Sequence, residues 1–347
     1  MIPRSEGTDA GPPMPAMTLR LTLRADGTTI AVVSQTTDSK TTGTSDGAIP
    51  APLVAPFGAA EGTPPTRLMV LGLAHRDGTV HGVELYRVAQ DCGIGIETVR
   101  SCIRRLVTEG LFERDGEGRE AVFRATPAGM SMLDVTQQRH LLAYAQDAAG
   151  RGWDRRWRLV SFAIPESQRT ARDAFRDHVL SLGGAALQPG LYVSPHRWER
   201  DIDAEAHRLG IGAHVSTLST DDMSVCGESD PRQLAARLWP LDEVARRYQD
   251  FIETYRGVPE TLAGMRTRGE RLTEHDFLPG VLHVAIRFNS CFEMDPLLPP
   301  ELLPRPWPGR EARDLLARCR KHGVLARDDK SGPALFRVFD EAIAHLP

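Results

Sequence analysis

The chain has 347 residues, 41% of them hydrophobic and 25% charged, and carries a formal net charge of −4. At about 100–200 residues per domain, that length implies two or three domains with ordinary globular cores. The charge excludes a polycation that coats nucleic acid along its whole length, so any nucleic-acid binding has to come from a local patch.

No apolar run is long enough to span a bilayer, so a membrane partner is not expected. No basic segment followed by an apolar core opens the sequence, which points to a cytoplasmic location. Cys92, Cys102, Cys226, Cys291 and Cys319 are odd in number and contain no C-x-x-C pair. Reduced thiols are expected, in place of a zinc ribbon or a disulfide framework.

Residues 1–65 are rich in Gly, Pro, Thr, Ala and Ser and end in Gly62-Thr63-Pro64-Pro65. Few apolar residues and many breakers predict an extension that is largely disordered. One stretch differs. Thr18 to Arg24 alternates with period two, Asp26-Gly27 offers a turn, and Thr29 to Val33 follows, which spells a small hairpin.

Residues 66–150 carry the clearest pattern. Helices are expected over 66–74, 83–91 and 96–109, with Cys92-Gly93-Ile94 as the turn between the second and third and Gly110 as the stop. Two short strands, 111–114 and 121–124, flank the turn-rich tip 115–120, and Thr126-Pro127 caps a long helix towards Ala149. Helix, helix, turn, helix, hairpin is the order of a winged helix-turn-helix. In the third helix Ile96, Val99, Ile103 and Leu106 recur at helical spacing as the buried stripe. The opposite face presents Thr98, Arg100, Ser101, Arg104 and Arg105, side chains suited to guanine edges and phosphates. Arg114 and Arg119 of the hairpin are placed to reach the DNA backbone or a minor groove. Residues 66–129 hold nine arginines and nine carboxylates, so the basic charge has to be sorted onto one face. A winged-helix scaffold that binds protein is the competing reading.

Residues 151–228 read as strand (156–165), helix (168–182), interrupted strand (186–194), helix (197–209) and strand (211–218). This β-α-β-α-β order predicts a small open sheet of ferredoxin-like type with helices on one face. Residues 229–347 read as mainly helical, over 231–255, 272–288, 311–322 and 334–346, with a proline-rich segment in the middle. The fold class is therefore α+β: an N-terminal winged helix-turn-helix, a central ferredoxin-like domain and a C-terminal helical domain.

The winged-helix pattern, the Trp157-Arg158-Leu159-Val160 strand ending in Ile164-Pro165, and the late motif Asp295-Pro296-Leu297-Leu298-Pro299-Pro300-Glu301-Leu302-Leu303-Pro304-Arg305-Pro306-Trp307-Pro308-Gly309 follow one another in order. Together they resemble PaaX-type repressors, whose late pattern runs Asp-Pro, Leu-Pro, Leu-Leu-Pro and Trp-Pro-Gly. The resemblance covers about 66–347 and leaves the extension outside. His283 and Arg287 lie upstream of the motif, much as a His and an Arg do in that family. The resemblance implies a Cas2-like middle domain and a cytoplasmic homodimer without catalytic activity or cofactor. It also implies a double-stranded operator with an inverted repeat, and release by an acyl-CoA effector such as phenylacetyl-CoA in the control of aromatic-acid catabolism. Trp157, Arg158, His283, Arg287 and Trp307 are the candidate effector residues; His283 and Arg287 have the alternative role of anchoring Asp295.

The Cas2 likeness raises a metal-dependent nuclease as a further alternative. Such cleavage needs carboxylates near the end of the first central strand, and that strand ends in Ala163-Ile164-Pro165 with only Glu166 beyond. The group His275, Asp276, His283, Glu293 and Asp295 matches no common metal-ligand spacing, and no G-x-S-x-G, H-E-x-x-H or P-loop pattern occurs.

Overall fold

The computed structural model describes residues 66–329 and 332–338, and the backbone of two strands before them. Those strands, β1 (Leu19–Leu23) and β2 (Thr29–Val33), form an antiparallel ladder with Leu19 opposite Val33, the hairpin that the alternation spells. The remainder of the predicted extension lies outside the described residues, as does most of the helix predicted over 334–346.

The next elements are α1 (Thr66–Gly72), β3 (Thr79–His81), α2 (Gly82–Asp91), α3 (Ile96–Thr108), β4 (Phe112–Asp115), β5 (Val122–Ala125) and α4 (Pro127–Ala149). The three strands form one antiparallel sheet in the order β3-β5-β4. The sequence reading has no counterpart of β3, because three residues are too few to show an alternation; the strand exists through its pairing, Val80 opposite Phe123. Val99, Ile103 and Leu106 of α3 are buried with Met69 and Val70 of α1, Leu73 just after it, and Leu85, Val88 and Ala89 of α2. Ile96 departs from the expected stripe. It is the first residue of α3 and stands 37% exposed.

The Thr126 hydroxyl joins the sheet to α4. It accepts from the Gly129 amide and donates to the Gly110 carbonyl, so the helix start is capped and tied to the end of α3 at once. Gly129 is fixed by close approach, since a Cβ there would lie 2.0 Å from the Leu111 carbonyl oxygen. Gly129→Ala is therefore expected to destabilise the protein by roughly 1–3 kcal/mol although alanine is the better helix former. Urea unfolding checks this, and an unchanged midpoint would mean that the start of α4 is not docked on Leu111.

The central sheet consists of β6 (Trp157–Phe162), β7 (Ala185–Gln188), β8 (Leu191–Ser194) and β9 (Val215–Thr220), in the order β7-β8-β6-β9 and antiparallel throughout. With α5 (Arg169–Ser181) after β6 and α6 (Glu199–Arg208) after β8, this is the ferredoxin-like β-α-β-β-α-β arrangement. The strand expected over 186–194 is a hairpin, turned at Pro189-Gly190 with φ +77° at the glycine. Strand alternation sends alternate residues to the two faces. Val160 and Tyr192 pack with Phe175, Val179 and Ile202 of the helices. Trp157, Leu159 and Val193 point to the other face, where Leu234, Trp239, Leu298 and Leu302 cover them. The proline-rich motif thus lids the second face of the sheet. Glu301 pins it there, accepting from the Gly152 and Trp153 amides.

The remaining helices are α7 (Pro231–Leu238), α8 (Leu241–Tyr255), α9 (Val258–Thr267), α10 (Glu274–Phe292) and α11 (Pro308–Ala326). The single helix expected over 231–255 is two, because Pro240 disfavours helical backbone at Trp239, which is extended at ψ 148°. α9 was not expected; its Pro259 reads as a breaker but sits in the first turn, where proline is tolerated. The cores of α1–α4 and of α8–α11 form one continuous apolar cluster. All five cysteines are free thiols, and burial pushes Cys92 and Cys319 up to about 12.

Candidate nucleic-acid interface

Gly93, at φ +67°, turns the chain between α2 and α3, and α3 then starts at Ile96. Burial of Val99, Ile103 and Leu106 fixes the rotation of this helix and sends Arg100, Ser101 and Arg104 to solvent. Thr98 and Arg105 are half-buried at the edges of that face. Arg114 on β4 and Arg119 in the loop to β5 are exposed. The α3 candidates therefore share a helix face, and the two hairpin arginines follow on the adjoining strand and tip.

The face is not uniformly free. Arg100 is engaged by Glu97 one turn earlier, at 2.5 Å, and by Tyr86 of α2; the Glu97 hydrogen bond holds its guanidinium above the ordinary arginine value. Tyr86 escaped sequence reasoning because it sits on a different helix. Among the described residues Arg104, Arg114 and Arg119 have no carboxylate within ion-pair distance, so their charge is available to an anion. Arg124 lies 3.6 Å from Asp115 across the hairpin.

The five candidate effector residues are dispersed. Trp157 is buried, with Trp153 at 5.2 Å and Trp239 at 6.3 Å. Arg158 is buried and held by both Asp154 oxygens, by Glu199 and by the Pro195 carbonyl; its hydrogen bonds keep the Asp154 carboxyl well below the usual range. These are the contacts of a structural ion pair. His283 Nδ1 lies 3.0 Å from the Tyr255 hydroxyl. Trp307 meets Tyr248 edge-on and borders a shallow surface depression with Arg310 and Arg318.

The alternative anchoring role for His283 and Arg287 is corrected by the partners of Asp295. Its carboxylate accepts from the Tyr248 hydroxyl and the Leu297 amide, both at 2.8 Å, and lies 3.7 Å from Arg313. Arg139 donates to its backbone carbonyl. Asp276, Glu293 and His275 pair separately with Thr273, Asn289 and Asp91. No cluster of three metal-ligating side chains occurs among the described residues, and none of their helices is long and apolar enough to cross a membrane.

A cavity of about 440 Å³ lies between α1 and α4 on one side and α10 and α11 on the other. Leu68, Leu71, Leu133, Phe288, Leu316 and Phe336 supply its apolar wall. None of the five sequence-derived effector candidates lines it. A signal for it was present: α1 buries Met69 and Val70 in the core and still has apolar Leu68 and Leu71 to spare.

Residues 150–235 match the family described as PaaX protein central Cas2-like domain, and residues 239–328 match PaaX-like protein C-terminal domain. The transcriptional repressor PaaX of Escherichia coli (strain K12) is 26% identical over 244 residues, 70% of this chain and 74% of that protein. An uncharacterized protein from Mycobacterium tuberculosis overlays with a TM-score of 0.45 at 23% identity, over 75% of this chain and 95% of its own. The class is thus a regulator of transcription that combines a Cas2-like central sheet with a helical C-terminal part. Within that class, the chain belongs to the PaaX family of transcriptional repressors.

Proposed function

We propose that this protein represses an aromatic-acid catabolic operon by binding a double-stranded operator as a homodimer, and that an aryl-acyl-CoA such as phenylacetyl-CoA releases it. In this reading residues 66–150 are a winged helix-turn-helix, 151–228 the Cas2-like domain and 229–347 the helical domain. α3 enters the major groove, with Arg100, Ser101 and Arg104 towards bases and phosphates and Thr98 and Arg105 at its edges. Arg114 and Arg119 contact the backbone or a minor groove. Two copies read half-sites of an inverted repeat about one helical turn, or a multiple, apart. The observation that carries the reading is the split of α3 into a buried Val99-Ile103-Leu106 side and an exposed arginine side, in a chain of a repressor family. The Glu97 contact holds Arg100 in place before DNA arrives. The effector has to favour the conformation that fits the operator less well, or no release follows.

The test is fluorescence anisotropy on DNA from upstream of the protein's own reading frame, with sites selected from the genome if that segment lacks the operator. Arg104→Ala is expected to weaken operator binding by about tenfold or more and to reduce the slope of log affinity against log salt. Unchanged affinity and slope would mean that α3 does not read DNA through this face.

A further inference from the structure

We infer that the cavity between α1, α4, α10 and α11 is a ligand site that takes the aryl end of an aryl-acyl molecule and transmits its occupancy to α3 through α1. This rests on the effector-responsive reading above and adds the place, the contacts and the route.

Size and lining fit a small aromatic group. A volume of about 440 Å³ falls within the range of about 300–1,000 Å³ usual for small-molecule sites. The wall is mainly apolar, and two of its rings, His140 and Phe288, lie nearly parallel at an interplanar angle of 26° with centroids 6.2 Å apart. Such flat faces suit an aromatic ring. Desolvation and the nearby arginines press the His140 pKa down to about 3, so that wall is uncharged at neutral pH. Charge is confined to the two arginines, Arg76 and Arg320, and one carboxylate, Asp134, apart from the histidines. That balance, a net positive wall apart from the histidines, favours a polar, electron-rich carbonyl end.

The route to α3 is short. Leu68 and Leu71 of α1 line the cavity, while Met69 and Val70 of the same helix, and Leu73 just past its end, share the core of Val99, Ile103 and Leu106. Whatever moves α1 moves the support of the reading helix. Phe336 closes the same end. Its amide donates to the Gly72 carbonyl, and its ring lies where a Cβ on Gly72 would be only 2.7 Å away. It has left-handed backbone at φ +61°, which a bulky residue adopts only where its contacts hold it. A ligand that competes for those contacts relieves that strain and loosens α1. Arg320, stacked over the Phe336 ring at 5.3 Å, is the link to α11.

The test is isothermal titration calorimetry of the full chain with phenylacetyl-CoA and with CoA alone, beside operator anisotropy on the same samples. The variants are Leu133→Trp, which fills the cavity from α4, and Thr136→Trp at an exposed position of its wall, where folding is not at stake. Wild type is expected to bind the thioester and not CoA. Each variant is expected to bind the thioester at least tenfold more weakly and to hold the operator in its presence. Thioester binding unchanged in both variants overturns the site. No thioester binding by wild type, with operator binding intact, overturns the site and the effector but leaves the DNA reading standing. Thioester binding that the variants lose, without any operator binding, keeps the site and overturns the DNA reading instead.

Discussion

Arg313→Met is expected to lower the unfolding free energy by roughly 3–5 kcal/mol, the usual cost of breaking a buried ion pair from one side. Arg313 of α11 reaches α4 with a two-pronged contact to Asp147, at 2.5 and 2.8 Å, and lies 3.7 Å from Asp295. Arg313 and Asp295 are almost wholly buried. Burial works against the guanidinium charge, but the Asp147 hydrogen bonds more than offset this and hold Arg313 above the usual arginine value. Burial also pushes the Asp295 carboxyl up, opposed first by Arg313. Methionine fills similar space and removes the cation, which leaves two carboxylates facing a dry interior. Arg313→Lys is the informative companion. It keeps the charge but cannot grip Asp147 with two parallel bonds, so it should fall between wild type and methionine. Urea unfolding of the three proteins measures the series. A loss below about 1 kcal/mol for methionine would mean that water reaches Asp147 and Asp295 when the arginine goes.

That ion pair also marks where the sequence was readable and where it was not. The periodicity of Val99, Ile103 and Leu106 located α3 and oriented it, because one helix packed on two neighbours has a single buried side. Gly183 and Gly210 ended the two central helices where expected, but β6 stops at Phe162, short of Pro165, and the β7-β8 hairpin reads in the sequence as one interrupted strand. The proline-rich motif was visible as a string of residues, but its role was not. Leu298 and Leu302 lid a sheet that begins more than 130 residues earlier, and no local pattern encodes that distance. The same limit applies to Asp295, whose partners Tyr248 and Arg313 come from two other helices. Trp157 and Arg158 looked like ligand contacts because aromatic and cationic residues are common in sites. In the fold Arg158 is consumed by Asp154, and Trp157 by packing with Trp153 and Trp239. The cavity was hidden for a different reason: it is a space between four helices, built largely from ordinary leucines with His140 among them.

That histidine gives the second large effect. Wild type is expected to lose up to about 2 kcal/mol of stability between neutral pH and pH 5 through His140 alone, and His140→Phe to abolish that part of the loss. The imidazole stacks on Phe292 at 4.1 Å and a 7° tilt. Desolvation, and then Arg139, Arg313 and Arg320, lower its pKa from 6.5 to about 3. Between those values the unfolded chain binds a proton that the folded chain refuses. Stability therefore rises with pH through this window and falls on acidification, by at most about 1.4 kcal/mol per pH unit. The ring borders the cavity and is only partly buried, so the figure is an upper bound. Phenylalanine preserves the stack and carries no proton. The difference between the two urea-unfolding profiles from pH 7.5 to 4.5 isolates His140 from the carboxylates that titrate in both proteins. Parallel profiles would show that His140 is solvated well enough to titrate normally.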